Sequence, residues 1–234
     1  GRLSLAAVNG PTTSTVGGEP AACREFVAEC ERDGIRARVI TGVETAGHSV
    51  LLDPLRDGML DTLAPVRPTS GSIAFYSTVA GALIDTAGLD ADYWYRNARQ
   101  TVLFESAVRA LLTDGHTVFL EISPHPMLAV PIQQIVEDTG QAATASGTLV
   151  RDSGGVRQFH RALARAFVHG ATVDWAALFP GARRIDLPTY AFQHQHLWTA
   201  IHAGTADAGS LGLRPLDHPV LGGAVVLATA TAWC

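Results

Sequence analysis

The chain has 234 residues, a formal net charge of -5, 47% hydrophobic residues and 17% charged residues. That is enough apolar sequence for one or two folded domains with a sizeable core. The negative balance excludes a general nucleic-acid or anionic-membrane binder, and the lone arginine pair Arg183-Arg184 is too small for a phosphate-binding patch.

All 17 basic residues are arginine and alanine is abundant, the bias of a high-GC coding sequence. Cys23, Cys30 and Cys234 form no CxxC pair and no disulfide framework, so core thiols in a reducing cytoplasm are expected. No apolar run is long enough to span a membrane, and no secretory leader pattern occurs. The chain starts without Met at a strand-like run and ends on Trp233-Cys234, so a segment of a longer polypeptide is expected.

In chain order, residues 3–8 read as a buried strand, Asn9-Gly10-Pro11 as a turn and 12–16 as a second strand. Glu19-Pro20 opens a helix with Cys23, Phe26, Val27 and Cys30 on one face, and Gly34 stops it. Residues 36–40 read as a third strand, so this β-β-α-β order predicts a ferredoxin-like unit over residues 1–44. A helical pattern follows at 51–63, a strand at 73–77 and a hairpin return at 81–84. Residues 92–97 form an aromatic segment, and helical spacing resumes at Phe104, Ala107, Val108, Leu111 and Leu112. Residues 118–122 read as a central strand, Ser123-Pro124-His125-Pro126 as a rigid turn, and Leu128, Ile132, Ile135 and Val136 as a helix face. This alternation predicts an α/β sheet domain. Residues 140–146 look like a boundary, with another strand expected at 146–150. Residues 156–170 form an amphipathic helix with Phe159, Leu163, Ala166 and Phe167 inward and Arg157, Arg161 and Arg165 outward. Residues 185–192 read as an extended strap with aromatic anchors, residues 203–210 as a linker, and a new pattern begins at Leu213.

The chemistry centres on His48, set among small residues where a loop becomes a helix. A histidine there is suited to be a general base or equally an ordinary loop residue. No G-x-S-x-G elbow, HExxH, Walker loop or GxGxxG occurs in the chain, so His48 has no activated nucleophile within it.

Several segments together resemble one family. Ala7-Val8-Asn9-Gly10-Pro11, Ala46-Gly47-His48-Ser49, Trp94-Tyr95-Arg96-Asn97-Ala98-Arg99-Gln100-Thr101-Val102 and Glu121-Ile122-Ser123-Pro124-His125-Pro126 occur in order. They resemble the C-terminal half of the acyltransferase domain of a modular type I polyketide synthase. Leu187-Pro188-Thr189-Tyr190-Ala191-Phe192-Gln193, closing on Trp198, resembles the linker that follows it, and Leu216-Asp217-His218-Pro219-Val220-Leu221-Gly222 the opening of a dehydratase domain. The implied organisation is a ferredoxin-like subdomain at 1–44, the C-terminal part of an α/β-hydrolase-like acyltransferase core at 45–140, a linker at 141–200, a flexible linker at 201–212 and the first strands of a hotdog dehydratase at 213–234.

The resemblance implies a ping-pong acyl transfer from an acyl-CoA to the phosphopantetheine thiol of an acyl carrier protein. His48 would be the base for a serine lying upstream. The ring would be held by main-chain carbonyls, one of them from Asn97. Without the serine, the chain alone would be inactive. Partners implied are the acyl-CoA, the carrier protein and a ketosynthase contacted by the linker, in a cytoplasmic homodimer with no nucleic acid, membrane, metal or bound cofactor.

Thr45-Ala46-Gly47 stands where the family tunes its extender pocket. Malonyl-type domains carry His-Ala-Phe there and methylmalonyl-type domains Tyr-Ala-Ser. Thr45 and Gly47 enlarge the slot, which implies ethylmalonyl-CoA or a similar α-branched extender, with methylmalonyl-CoA next. His194 and His196 lack a third ligand type nearby, His125 reads as a turn residue, and His218 as structural because position 227 is Leu where the dehydratase motif needs Pro. Two alternatives stay open: a serine-histidine hydrolase of similar fold, and a non-catalytic interdomain scaffold centred on residues 141–200.

Overall fold

The computed structural model describes residues 1–40, 42–43, 45–193, 208–226 and 231–233, with the backbone alone at 226 and 231–233. The chain divides into two compact units, Gly1–Pro180 and Gly181–Cys234.

The first unit opens with the antiparallel hairpin β1 (Leu3–Gly10) and β2 (Thr13–Gly18), whose register shifts between Leu5 and Ala7 and again between Val8 and Gly10. Helix α1 (Pro20–Arg32) starts on Pro20, which has no N–H to leave unpaired at a helix start, and buries Ala22 and Cys30. Gly34 at φ 71° ends it, and the Ile35 N–H returns to the Cys30 carbonyl at 2.7 Å. The strand expected at 36–40 does not form, so the ferredoxin-like unit is not completed. Arg36, Arg38, Val39 and Ile40 are exposed, and both edges of β1 are already paired, in the order β2-β1-β5. A short segment with β-branched residues such as Val39 and Ile40 becomes a strand only where an edge receives it.

The single helix expected at 51–63 is two pieces, a 3-10 turn (Val50–Leu55) and α2 (Arg56–Leu63), because Pro54 has no N–H for a preceding carbonyl. Strands β3 (Phe75–Ser77) and β4 (Ala82–Ile84) make the expected hairpin. The aromatic segment is helix α3 (Ala91–Arg99), capped by Asp90, whose carboxylate accepts from the Tyr93 N–H at 2.9 Å. Strand β5 (Val102–Leu103) lies parallel to Ala7 and Val8 of β1. Helix α4 (Phe104–Thr113) leads to β6 (Val118–Glu121), helix α5 (Ala129–Thr139) and β7 (Thr144–Gly147), which is parallel to β6. Two parallel pairs with helices between them make this an α/β unit. β6 was expected to be central, but among the described residues it pairs with β7 alone.

The core lies between α4 and α5. Val108, Leu112, Ile132, Ile135 and Val136 are buried there, ringed by Phe104, Phe119, Leu128, Ala143 and Ala145. Helix α6 (Val156–Val168) packs on β7 with Ala162 and Ala166 buried. Phe159 and Phe167 were expected inward but are partly exposed; Phe167 instead meets Trp175 of the short helix α7 (Trp175–Leu178), edge to face at 5.4 Å.

Glu121, the last residue of β6, fastens the β6–α5 turn. Its carboxylate accepts from the backbone N–H groups of Met127, Leu128 and Ala129 at 2.9, 2.8 and 3.1 Å and from the Ser123 hydroxyl at 2.9 Å. Burial alone pushes its pKa up, but the four donors outweigh it and hold the carboxyl below its ordinary value. Such a shift stabilises the fold above the unfolded pKa of about 4.3, and that stabilisation is lost as pH falls below it. Glu121→Ala is expected to lower stability by about 2–3 kcal/mol at neutral pH, since it orphans three amides. Urea melts at pH 7 and pH 3.5 check this: the gap between wild type and variant should shrink in acid.

In the second unit, residues 185–192 form no strand or helix, and the Phe192 N–H donates to the Tyr190 carbonyl at 3.0 Å. After a 3-10 turn (Ala208–Leu211) come β8 (Arg214–Pro215), β9 (Gly223–Val226) and β10 (Thr231–Trp233), an antiparallel sheet in the order β10-β9-β8. These three short strands do not make up a hotdog fold. Among the described residues no helix is long and apolar enough to cross a membrane. His194, His196 and Trp198 lie outside the described residues.

Candidate active site

His48 is held where the loop after α1 turns into the 3-10 helix. Ser49, fully buried, caps that helix: its hydroxyl accepts from the Leu51 N–H at 3.2 Å and donates to the Ala46 carbonyl at 2.6 Å. His48 itself has φ 57°, the left-handed region that residues other than glycine seldom adopt. The conformation is held by two bonds to the C-terminal end of α3. The His48 N–H donates to the Ala98 carbonyl at 2.7 Å, and its ring Nδ1 lies 3.0 Å from the Gln100 carbonyl.

A carbonyl oxygen only accepts, so Nδ1 carries the proton in this bond and Nε2 is left with its lone pair. An imidazole so arranged can take a proton from a hydroxyl or thiol brought against Nε2. Among the described residues no carboxylate hydrogen-bonds the ring. The carbonyl expected from Asn97 is therefore that of Gln100, three residues on; the Asn97 side chain makes no hydrogen bond among the described residues. The reason is geometric. Asn97 still lies within helix α3, where its carbonyl follows the helix axis, whereas Gln100 is extended and turns its carbonyl outward.

Asp53, in the 3-10 helix, adds a third tie. Arg99 Nε donates to its Oδ1 and Arg99 Nη2 to its Oδ2 at 3.4 Å, while the Tyr95 hydroxyl donates to Oδ1 at 3.2 Å. The Arg99 hydrogen bond holds the Asp53 carboxyl below its ordinary pKa. Burial first, then Asp53, pushes Tyr95 up. The segment after α3 also reaches the sheet, with the Thr101 hydroxyl donating to the Leu5 carbonyl at 2.7 Å and Leu103 N–H to the Thr78 carbonyl at 2.7 Å. The segment that bonds the histidine is thus continuous with the residues that join β1.

Of the three residues before it, Thr45 is exposed, and Ala46 and Gly47 are half-buried. A methyl group built on Gly47 meets nothing within 4 Å, so the glycine borders open space. Gln100, Arg99 and Asp53 were not singled out from the sequence. A main-chain carbonyl leaves no side-chain signature; Arg99 and Gln100 both lie in the segment 94–102, and Asp53 in the helical pattern at 51–63.

Two further histidines accept from backbone N–H groups. His125 is exposed and its Nδ1 accepts from the Arg151 N–H at 3.4 Å. His218 Nδ1 accepts from the Val220 and Leu221 N–H groups, both at 3.2 Å, so it caps its own turn. No group of three or more His, Cys, Asp or Glu among the described residues is placed to hold a metal.

Residues 1–173 match the family described as acyl transferase domain. Polyketide synthase GfsB of Streptomyces halstedii is 50% identical over 230 residues, which is 97% of this chain and 4% of that protein. Erythronolide synthase EryA2 of Saccharopolyspora erythraea is 43% identical over 225 residues, 96% of this chain and 6% of that protein. This chain therefore spans only a small part of these relatives. Among solved structures, the acyltransferase domain from module 8 of the salinomycin polyketide synthase superposes with a TM-score of 0.72 at 46% identity, over 74% of this chain and 41% of that one. The acyltransferase domain from the second module of the same synthase gives 0.72 at 30% identity, over 82% and 45%.

Proposed function

This chain belongs to the acyl transferase domain family, and from that premise we propose that it is part of a modular polyketide synthase acyltransferase, with His48 as its general base. The substrate is an α-branched malonyl-type extender, ethylmalonyl or methylmalonyl, carried from CoA to the phosphopantetheine thiol of an acyl carrier protein. The observation that carries the reading is the His48 ring, tied through Nδ1 to the Gln100 carbonyl with Nε2 left to accept.

In the first half-reaction Nε2 takes the serine proton as the serine oxygen attacks the thioester, and the proton passes to the departing CoA thiolate. In the second, Nε2 takes the pantetheine thiol proton as the sulfur attacks the acyl-serine ester, and returns it to the serine oxygen. The serine comes from outside these 234 residues, which contain no G-x-S-x-G. Asn97 sits one turn before the carbonyl that holds the ring. Leu187, Tyr190 and Phe192 are largely exposed, which supports a strap that docks on a ketosynthase. Residues 213–234 begin a dehydratase.

We assign the choice of extender to Thr45 and Gly47, which are smaller than the Tyr and Ser that methylmalonyl-type domains carry there. The test is loading of the intact acyltransferase by malonyl-, methylmalonyl- and ethylmalonyl-CoA in competition, read by mass spectrometry of the carrier protein. Branched extenders are expected ahead of malonyl. Thr45→Tyr with Gly47→Ser is expected to shift selectivity from ethylmalonyl toward methylmalonyl about tenfold. Preferential malonyl loading overturns the extender reading, and loading of none overturns acyl transfer.

A further inference from the structure

Three consecutive residues hold the His48 loop, each by a different kind of bond. Ala98 and Gln100 supply carbonyls to the His48 N–H and to its ring. Arg99, between them, grips the Asp53 carboxylate five residues after His48. The two carbonyls alone could be met by a loop that slides or rotates, since each bond fixes only a distance and a direction. The forked Arg99–Asp53 pair adds a planar, two-point contact and sets the loop and helix α3 in one register. Tyr95, one helical turn before Arg99 and buried, adds its hydroxyl to the same carboxylate, and Arg56 lies over its ring at 5.5 Å.

We infer that Asp53 and Arg99 form a positioning clasp that keeps His48 in its left-handed conformation with Nδ1 on the Gln100 carbonyl. As a source of stability the pair is minor, because both side chains are partly exposed: 54% for Asp53 and 27% for Arg99. Its consequence is local. A non-glycine residue at φ 57° persists only where its surroundings over-determine it. With the clasp open, the backbone relaxes toward negative φ and the ring leaves Gln100. The Nδ1–H tautomer then loses the bond that selects it, and the proton redistributes to Nε2, the nitrogen that must be bare for a base. Asp53 and Arg99 touch no reacting atom in this scheme; they act through His48. The catalytic meaning of the clasp rests on the proposed acyl transfer, while the clasp itself does not.

The test separates the two. In the full chain, 15N shifts of the His48 imidazole, identified by the signal lost in His48→Gln, report its tautomer in the neutral state. Wild type is expected to be mainly Nδ1–H. Asp53→Asn and Arg99→Gln are expected to move it to mainly Nε2–H, and Arg99→Lys, which keeps the charge without the fork, to an intermediate value. Asp92→Asn removes the Arg96 pair at 2.8 Å on the same helix without touching the loop, and is expected to leave the tautomer as in wild type. Unchanged tautomers in the folded Asp53 and Arg99 variants overturn the clasp; should these not fold, an unchanged Arg99→Lys does so. In the intact acyltransferase the same variants are expected to lose about ten- to a hundredfold in kcat with little change in KM for the acyl-CoA. A shifted tautomer in variants of an enzyme whose wild type transfers no acyl group supports the clasp and overturns the functional reading.

Discussion

His48→Ala in the intact acyltransferase is expected to lower kcat/KM for acyl transfer by about 10²–10⁴-fold, the range a positioned general base contributes. By transition-state arithmetic that is about 3–5.5 kcal/mol of lost stabilisation. The loss should appear in both half-reactions, since one nitrogen serves both: acylation by acyl-CoA, read by intact-protein mass spectrometry, and transfer to the carrier thiol. The alanine variant alone is ambiguous, because alanine also fits poorly at φ 57°. His48→Gly and His48→Asn tolerate that conformation and still lack the base. All three are expected to fall equally. Recovery in the glycine or asparagine variant to within threefold of wild type would show that backbone strain, rather than proton transfer, caused the loss.

The legible parts of this molecule are those whose information sits in side-chain periodicity. Strands β1 and β2, helices α1, α4, α5 and α6, and the hairpin of β3 and β4 lie where alternation and helical spacing put them. Residues 36–40 form no strand although Val39 and Ile40 favour one; the partner edge is a tertiary fact, and here the second edge of β1 is taken by β5. The segment at 92–97 was read as aromatic without a fold, although Asp90 two residues before carries a helix-cap signal that the structure uses. On α6, helical spacing puts Phe159, Leu163, Ala166 and Phe167 inward; Ala166 is buried, together with Ala162, while Phe159 and Phe167 are exposed. At the site, His48 was legible because its short motif stands in register with three others. Gln100 was not, since it acts through a carbonyl that any residue has, and Arg99 looked like one arginine among 17.

The second large effect is on the fold. Ile135→Ala is expected to lower unfolding free energy by about 3–4 kcal/mol, measured by urea melts, against about 1 kcal/mol for Ile135→Val. Ile135 is 0% exposed and shares its cluster with Val108, Leu112, Ile132 and Val136. Truncation removes three carbons, about 2.4 kcal/mol of transfer free energy, and the rest depends on how far the walls collapse. They are held from several sides. Glu121 fixes the start of α5, and Arg109 on α4 reaches both Glu105 at 2.6 Å and Asp138 at the end of α5 at 2.5 Å. A helix pair tied at both ends closes only partly on the cavity, which places the cost above the bare transfer value, in the middle of the Ile→Ala range. A loss below 1 kcal/mol would mean that α5 moves in freely and that these ties do not clamp it. The same variant separates core from site: Ile135→Ala should shift stability while leaving the His48 tautomer unchanged, whereas Asp53→Asn should shift the tautomer with little loss of stability. A protein whose core and base are built on different contacts must show both halves of that dissociation.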